Sequence, residues 1–421
     1  MKISVYGSSL AAWVAAACLA KVGNDVVIDE MVGGSERELR AISVIRDEPG
    51  LLDQIQRQIK EGRLARRLHH QPMTTADIHW LALQPTEQTL AERVVEDLQL
   101  AEAKGLLIIN QCNFTVGATE GLQSRLSKDN DVVFMPDNLQ EGLALKGFEQ
   151  PAHLILGIDN DKALAKAKAL LRPFKSELDF LQLMNSREAE FTKYAITGML
   201  AIRLGYINEL ANLADALGVD ISVVQDGMGA DPRIGSHYLS PGCGFGGQNF
   251  AAYVTKFSGI LQKVRQQSLL KTVMEENEVQ KELLFRKLWQ HFQGDLEGKV
   301  VAVWGASFKP GTASIDNAPS LKIIDALISQ NIRVQVHDPE ALANLCAIYK
   351  DNALISYAES HLAAAEGADA LLLVTEWPIY WSPDYKRLAS LMREPLIIDG
   401  RNVFDKDLML QHGFTYLGVG R

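Results

Sequence analysis

The chain has 421 residues, 47% of them hydrophobic and 22% charged, with a formal net charge of −10. That length has room for two or three domains, each with its own core, and the acid excess argues against a nucleic-acid partner, whose phosphates call for clustered Lys and Arg. The four cysteines (Cys18, Cys112, Cys243, Cys346) form no C-x-x-C pair and the nine histidines no H-x-x-x-H spacing, so neither a disulfide framework nor a metal site is expected.

The opening "MKISVYGSSLAAWVAAACLA" has the lysine, apolar run and small residues of a secretory leader. However, Gly7-Ser8-Ser9 breaks the run and a second strand-like run follows at 26–28, which points to a cytoplasmic protein. No run reaches membrane-spanning length, so no membrane association is expected. His69 and His70 are adjacent and would point apart on a helix, which speaks against a shared metal.

In chain order, residues 3–6 read as a short buried strand, 7–10 as a turn and 11–22 as an Ala-rich helix. Gly23-Asn24 stops the helix, and the next strand closes on Asp29. A β-α-β unit of this kind implies a parallel sheet with a right-handed crossover. Apolar runs at 80–83, 106–109, 132–135 and 154–158 extend the pattern, so residues 1–185 are expected to form a Rossmann-like, NAD-type domain. Residues 187–217 and 253–292 have helical spacing and no strand signal; 186–297 is read as a central helical region that mediates homodimerisation. "KVVAVWG", "RVQVHDP", "ADALLLVTEW" and "PLIIDGRN" read as strands and "SLKIIDALISQN" as a helix, giving a second Rossmann-like domain over 298–421. The expected fold class is α/β: two doubly wound parallel-sheet domains joined by long helices.

The turn after the first strand has the context of a dinucleotide fingerprint, G-x-G-x-x-G with an acid about 20 positions on. Gly7 is present and Asp29 follows it by 22 positions, but Ser9 and Ala12 replace the second and third glycines. A carboxylate at Asp29 suits ribose hydroxyls, and Ser9 and Leu10 open a helix whose N-terminus favours phosphate. Gly7, Ser9, Leu10 and Asp29 are therefore the candidate cofactor residues, while the lost glycines leave open a turn whose NAD binding is weakened or lost. A hydrolase elbow around Ser9 is the rival; it lacks the closing glycine and a supporting His and acid pair.

The whole chain resembles the UDP-glucose/GDP-mannose (nucleotide-sugar 6-) dehydrogenase family. The resemblance rests on "SFKPGTASIDNAPSLKIIDAL", "VTEW", "DGRN" and "GFTYLGVGR" near the end. In the middle it rests on "DPRIGSHYLSPGCGFGGQNF", and in the first part on "MPDNLQEGLALKGFEQPAHLILG". It implies an NAD-dependent four-electron oxidation of a sugar C6 alcohol to a carboxylate. A Cys thiolate carries the aldehyde as a thiohemiacetal and then as a thioester.

Carried over position by position, the family's Cys falls on Asn249, whose amide cannot form a thioester. The motif Asp falls on Tyr253 and the Lys before it on Ala252. The helix Lys is retained as Lys193, and the Asn one turn on falls on Thr197. The Glu that activates water falls on Asp137, and the Ser-Thr-Val-Pro run on Cys112-Asn113-Phe114-Thr115. The cofactor-side Arg falls on Asp316, which reverses a charge close to the expected pyrophosphate. The sugar-nucleotide contacts implied by the resemblance are Leu139, Glu141, Arg233, Phe245, Gly246, Gly247, Lys309 and Arg401, in which Arg and Lys suit a diphosphate and glycines permit backbone approach.

Three readings follow. In the first, the protein is a divergent member that binds a UDP- or GDP-linked sugar without oxidising it. In the second, Tyr253 and Lys193 drive a single NAD-dependent alcohol oxidation that needs no thiol. In the third, Cys243 stands in as the nucleophile.

Overall fold

The computed structural model describes residues 1–31, 45–67, 75–151, 153–174 and 181–421. His69 and His70 lie outside the described residues. Two compact units emerge, Met1–Ala195 and Ile196–Arg421.

The first unit is built on an eight-stranded sheet. Its strands are β1 (Lys2–Tyr6), β2 (Asp25–Asp29), β3 (Leu64–Arg67), β4 (Ile78–Leu81), β5 (Leu107–Asn110), β6 (Asp131–Phe134), β7 (Leu154–Gly157) and β8 (Leu181–Met184). The order is β3-β2-β1-β4-β5-β6-β7-β8, and every neighbouring pair is parallel except β6 and β7, which meet antiparallel at Phe134 and Gly157. The first six strands thus follow the dinucleotide-fold order, in which ligands collect at the carboxyl ends of the strands. The helix Leu10–Lys21 is buried on all sides from Ala11 to Ala20, since alanines let it lie close between the sheet and the helices Leu51–Lys60 and Ala144–Glu149. Trp13, Trp80, Phe148 and Phe174 fill the core beneath it, with Phe148 and Phe174 edge to face at 5.1 Å.

The second unit holds a six-stranded parallel sheet: β9 (Val300–Trp304), β10 (Arg333–His337), β11 (Ile355–Tyr357), β12 (Ala370–Leu373), β13 (Leu396–Asp399) and β14 (Thr415–Leu417). Its order, β11-β10-β9-β12-β13-β14, repeats the Rossmann arrangement. The unit also contains the helices Ile221–Ala230, Gln248–Arg265, Leu269–Gln280 and Leu283–His291. The 32-residue helix Ser186–Leu217 begins in the first unit and continues into the second. Ile207, Ala211 and Ala214 on that helix bury against Ile221, Leu283 and Val419.

The expected strands are present, most of them shifted by a residue or two. β3, β8, β11 and β14 were not expected. β3 reads Leu-Ala-Arg-Arg, an edge strand whose charged side chains hide its pattern. β11 and β14 are three residues each, too short to register as apolar runs. Among the described residues no helix is long and apolar enough to cross a membrane.

Candidate functional site

The first unit carries the cofactor turn. Gly7 has φ of +133°, and a Cβ there would run into the Ala82 carbonyl, so glycine is required. Ser9 caps the helix Leu10–Lys21: its Oγ accepts from the Ala12 N–H (3.3 Å) and donates to the Ala82 carbonyl (2.8 Å). Its one hydroxyl proton therefore goes to a backbone carbonyl and not to an imidazole, as a hydrolase nucleophile would require. Helix geometry leaves the N–H groups of Leu10 and Ala11 for an anion. Asp29 ends β2 beside Tyr6 of β1, buried, with Oδ1 accepting from the Met31 N–H at 3.0 Å. Gly7, Ser9, Leu10 and Asp29 thus meet at the carboxyl ends of β1 and β2.

Two loops follow β5 and β6. The run Cys112-Asn113-Phe114-Thr115 is tied to the start of the long helix. Glu190 accepts from the N–H groups of Gly117 (2.5 Å) and Thr119 (2.8 Å) and from the Thr119 hydroxyl (2.7 Å). Tyr194 donates its hydroxyl proton to the Phe114 carbonyl at 2.7 Å. After β6, Asp137 Oδ1 accepts from the Leu139 N–H (3.0 Å), and Lys193 Nζ donates to Asn138 Oδ1 (3.1 Å). Burial raises the Asp137 carboxyl above the usual carboxylate range and lowers the Lys193 ammonium, while the attraction between the two works against both shifts. The buried Glu48 holds the far end of this loop, accepting from the N–H groups of Gly142 (2.6 Å) and Ala144 (2.7 Å). Asp137, Leu139, Glu141 and Lys193 therefore share one neighbourhood. Glu48, Glu190 and Tyr194, which fix it, are legible only once the loops are folded.

In the second unit the glycine segment 242–247 lies against its own protein. A Cβ on Gly242 would come to 2.7 Å from Arg401 Nη1, and on Gly244 to 2.9 Å from Lys281 Cγ. On Gly246 it would come to 2.7 Å from the Asn317 carbonyl, and on Gly247 to 3.0 Å from the Phe308 ring. Each of these glycines, Gly246 and Gly247 among them, is thus held closely by packing against its own protein. Hydrogen bonds complete the hold. Asn277 pairs with both backbone groups of Phe245, its Oδ1 accepting at 2.9 Å and its Nδ2 donating at 3.0 Å. The Gly242 N–H donates to Asn208 Oδ1 (2.8 Å), and Gln280 Nε2 donates to the Gly242 carbonyl (2.7 Å). The Gly247 N–H donates to the Asp316 carbonyl (2.8 Å). None of Asn208, Asn277, Gln280 and Lys281 stood out in the sequence, where they read as ordinary polar positions of long helices.

Gly246 and Gly247 are brought against Phe308, with Lys309 Nζ 5.6 Å from the Phe308 ring centre, and Phe245 stacks edge to face on Phe250. Arg401 joins them at Gly242, donating through Nε to the Val374 carbonyl (2.8 Å) with Glu376 at 3.3 Å. Arg233 is strongly exposed and turns back onto Asp231, at 3.0 Å through Nε and 2.6 Å through Nη2. Asn249 is exposed at the start of the helix Gln248–Arg265, and Tyr253, half-buried, lies one turn on along the same face. Thr197 is buried in the long helix. Cys243 is fully buried, its Sγ directed at the Val374 carbonyl (3.8 Å), and burial pushes its thiol up, so it is no nucleophile. Among the described residues no group of His, Cys, Asp and Glu could hold a metal ion.

Comparison with known proteins agrees with this arrangement. Residues 1–175 match the NAD binding domain of the UDP-glucose/GDP-mannose dehydrogenase family, 187–279 its central domain and 302–406 its UDP binding domain. A UDP-glucose 6-dehydrogenase of Pseudomonas aeruginosa is 35% identical, covering 100% of this chain and 98% of its own. The UDP-glucose 6-dehydrogenase TuaD of Bacillus subtilis is 30% identical over 100% of this chain and 93% of its own. A solved UDP-glucose dehydrogenase from Pyrobaculum islandicum superposes with a TM-score of 0.85 at 26% identity, covering 100% of this chain and 97% of that one. The chain belongs to the UDP-glucose/GDP-mannose dehydrogenase family, with the family's NAD-binding and UDP-binding domains both present.

Proposed function

We propose that this protein binds a UDP- or GDP-linked sugar and does not run the thiol-dependent oxidation to a uronate. The observation that carries this reading is the fate of its thiols. Asn249, an amide, is the exposed group that follows the glycine segment. Cys18, Cys112 and Cys243 are buried, with thiols pushed up by desolvation. The exposed Cys346 lies on the helix Leu342–Tyr349, beside Tyr357 of the sheet's edge strand β11. No thiolate is thus available where a thioester would have to form.

The cofactor residues fit a dinucleotide. The Leu10 and Ala11 N–H groups would meet its pyrophosphate and Asp29 a ribose, and the bound nicotinamide would supply a hydride acceptor. Homodimerisation is supported by Ile196, Met199, Tyr206, Leu213 and Leu217, exposed apolar residues at three-, four- and seven-residue spacing on the long helix.

A second reading is one alcohol oxidation using Tyr253 and Lys193, which needs no thiol. The test is a thermal-shift screen with UDP-glucose, UDP-N-acetylhexosamines, GDP-mannose, NAD⁺ and NADH, run beside an assay for NADH formation. Stabilisation by a nucleotide sugar without NADH is the expected result. Sustained NADH formation that disappears in Tyr253→Phe would establish the second reading. No stabilisation by any of these ligands would leave a protein whose role lies in contacts with other chains.

A further inference from the structure

We propose that Lys281 is a positioning residue of the nucleotide-sugar site: through Asn317 it sets the turn that closes on Gly246 and Gly247. The proposal rests on the binding reading above and adds the device that shapes the site.

Lys281 is only 1% exposed, an unusual place for an ammonium. Its Nζ donates to Asn317 Oδ1 at 2.6 Å and to Glu278 Oε1 at 2.7 Å. Asn317 has φ of +53°, a left-handed conformation that asparagine tolerates better than most residues but still favours little, so it needs outside support. The turn it forms presses on the glycine segment at two adjacent points. The Asn317 carbonyl and Ala318 Cα occupy the space a Gly246 side chain would need. The Asp316 carbonyl accepts the Gly247 N–H. The Lys281 stem also packs under Gly244, 2.9 Å from where its Cβ would lie. One buried side chain thus touches the segment from below and fixes the turn that covers it.

A buried lysine is a poor way to gain stability. Taking an ammonium out of water carries a desolvation cost that its bonds must offset, and Glu278, left behind when the ammonium is removed, is 42% exposed and still beside Lys322. Lys322 adds to the cost, lying 3.5 Å from the same Glu278 carboxylate. Geometry is what Lys281 delivers. It holds Phe245, Gly246 and Gly247 in one conformation before any ligand arrives, so binding loses little entropy in ordering them.

This argument separates positioning from plain support. Lys281→Met keeps the stem and removes the ammonium. It is expected to leave the melting temperature unchanged or raised and to weaken nucleotide-sugar binding roughly five- to twentyfold, the range of one or two lost hydrogen bonds. Lys281→Arg should restore affinity. Asn317→Gly, which removes the side-chain bond without straining the left-handed backbone, should weaken binding alike, and the double variant should be no worse than either single one, since both act through one bond. Hydrogen exchange on the peptide spanning 242–250 supplies a readout free of ligand: the Gly247 amide should lose protection in Lys281→Met. Unchanged affinity and unchanged protection in Lys281→Met overturn the proposal, as does an affinity loss that only tracks a lower melting temperature. If the wild-type protein binds no nucleotide sugar, the binding reading fails by itself, and the exchange measurement still decides whether Lys281 sets the turn.

Discussion

The Ser9 hydroxyl donates its proton to the Ala82 carbonyl at 2.8 Å, bridging the turn after β1 to the residue that follows β4. The same oxygen caps the first helix through the Ala12 N–H. Ser9→Ala is therefore expected to cost about 1–2 kcal/mol of stability, the usual value of a lost N-cap with one further hydrogen bond. NAD⁺ affinity should stay within about twofold, because backbone N–H groups rather than this hydroxyl face the phosphate. Urea denaturation and a fluorescence titration with NADH measure the two quantities. A tenfold loss of affinity at unchanged stability would place the hydroxyl on the phosphate after all.

Thiol chemistry offers a direct reading of position 249. Only Cys346 is exposed among the four cysteines, so the native protein should take up one equivalent of iodoacetamide. Asn249→Cys should take up two, with the new thiol reacting faster because a helix N-terminus lowers its pKa. Intact mass against time shows this. A single slow modification in the variant would mean that residue 249 is shielded.

The glycine segment should be intolerant in a way the neighbouring helix is not. Gly246→Ala meets backbone on two sides, the Asn317 carbonyl at 2.7 Å and Ala318 Cα at 3.0 Å, and neither can move independently. A loss of roughly 2–4 kcal/mol is expected from such overpacking. Gly259, in the helix Gln248–Arg265, has open space where a Cβ would lie among the described residues, so Gly259→Ala should gain up to about 1 kcal/mol from helix propensity. Calorimetric melting of both variants tests the contrast.

Acid sensitivity should trace in part to His79. It is fully buried in β4, with Nδ1 2.8 Å from the Tyr6 hydroxyl, and burial lowers its pKa from 6.5 to about 4. Between those values the unfolded chain binds a proton that the native state does not. Stability therefore falls as pH drops through this window, by about 3 kcal/mol in all for this one group. Urea unfolding from pH 7.5 to pH 4.5 should show that slope, and His79→Gln should flatten it by up to one proton. An unchanged slope in the variant would assign the sensitivity to other groups, His337 and His361 first, both also lowered by burial.

The folding class was legible because its signals are local and repeated. Apolar runs spaced by helices imply parallel sheets whatever the identity of each core residue, and every neighbouring pair in the two sheets is parallel except β6 and β7. The turn glycine Gly7 and the acid Asp29 could be located by spacing, since strand, turn and helix occupy adjacent positions in the chain. The partners of those residues could not. Ala82 meets Ser9 from 73 positions away, and Glu48 reaches the loop of Asp137 from 94 and 96 positions away at Gly142 and Ala144. Arg233 shows the opposite case: a residue type suited to diphosphate, whose side chain closes on Asp231 two positions earlier.

The sequence by itself determined two Rossmann-like sheets and the family. Those follow from residue identity, periodicity and ordered motifs, all of which survive without coordinates. Only the tertiary structure decided what the glycines of 242–247 pack against and that Cys243 is buried beyond reaction. Only it revealed that Asn277, Gln280 and Lys281 from a later helix hold the segment in place. The reason is physical: a missing Cβ states that something is close, and only the fold brings the distant chain that supplies it.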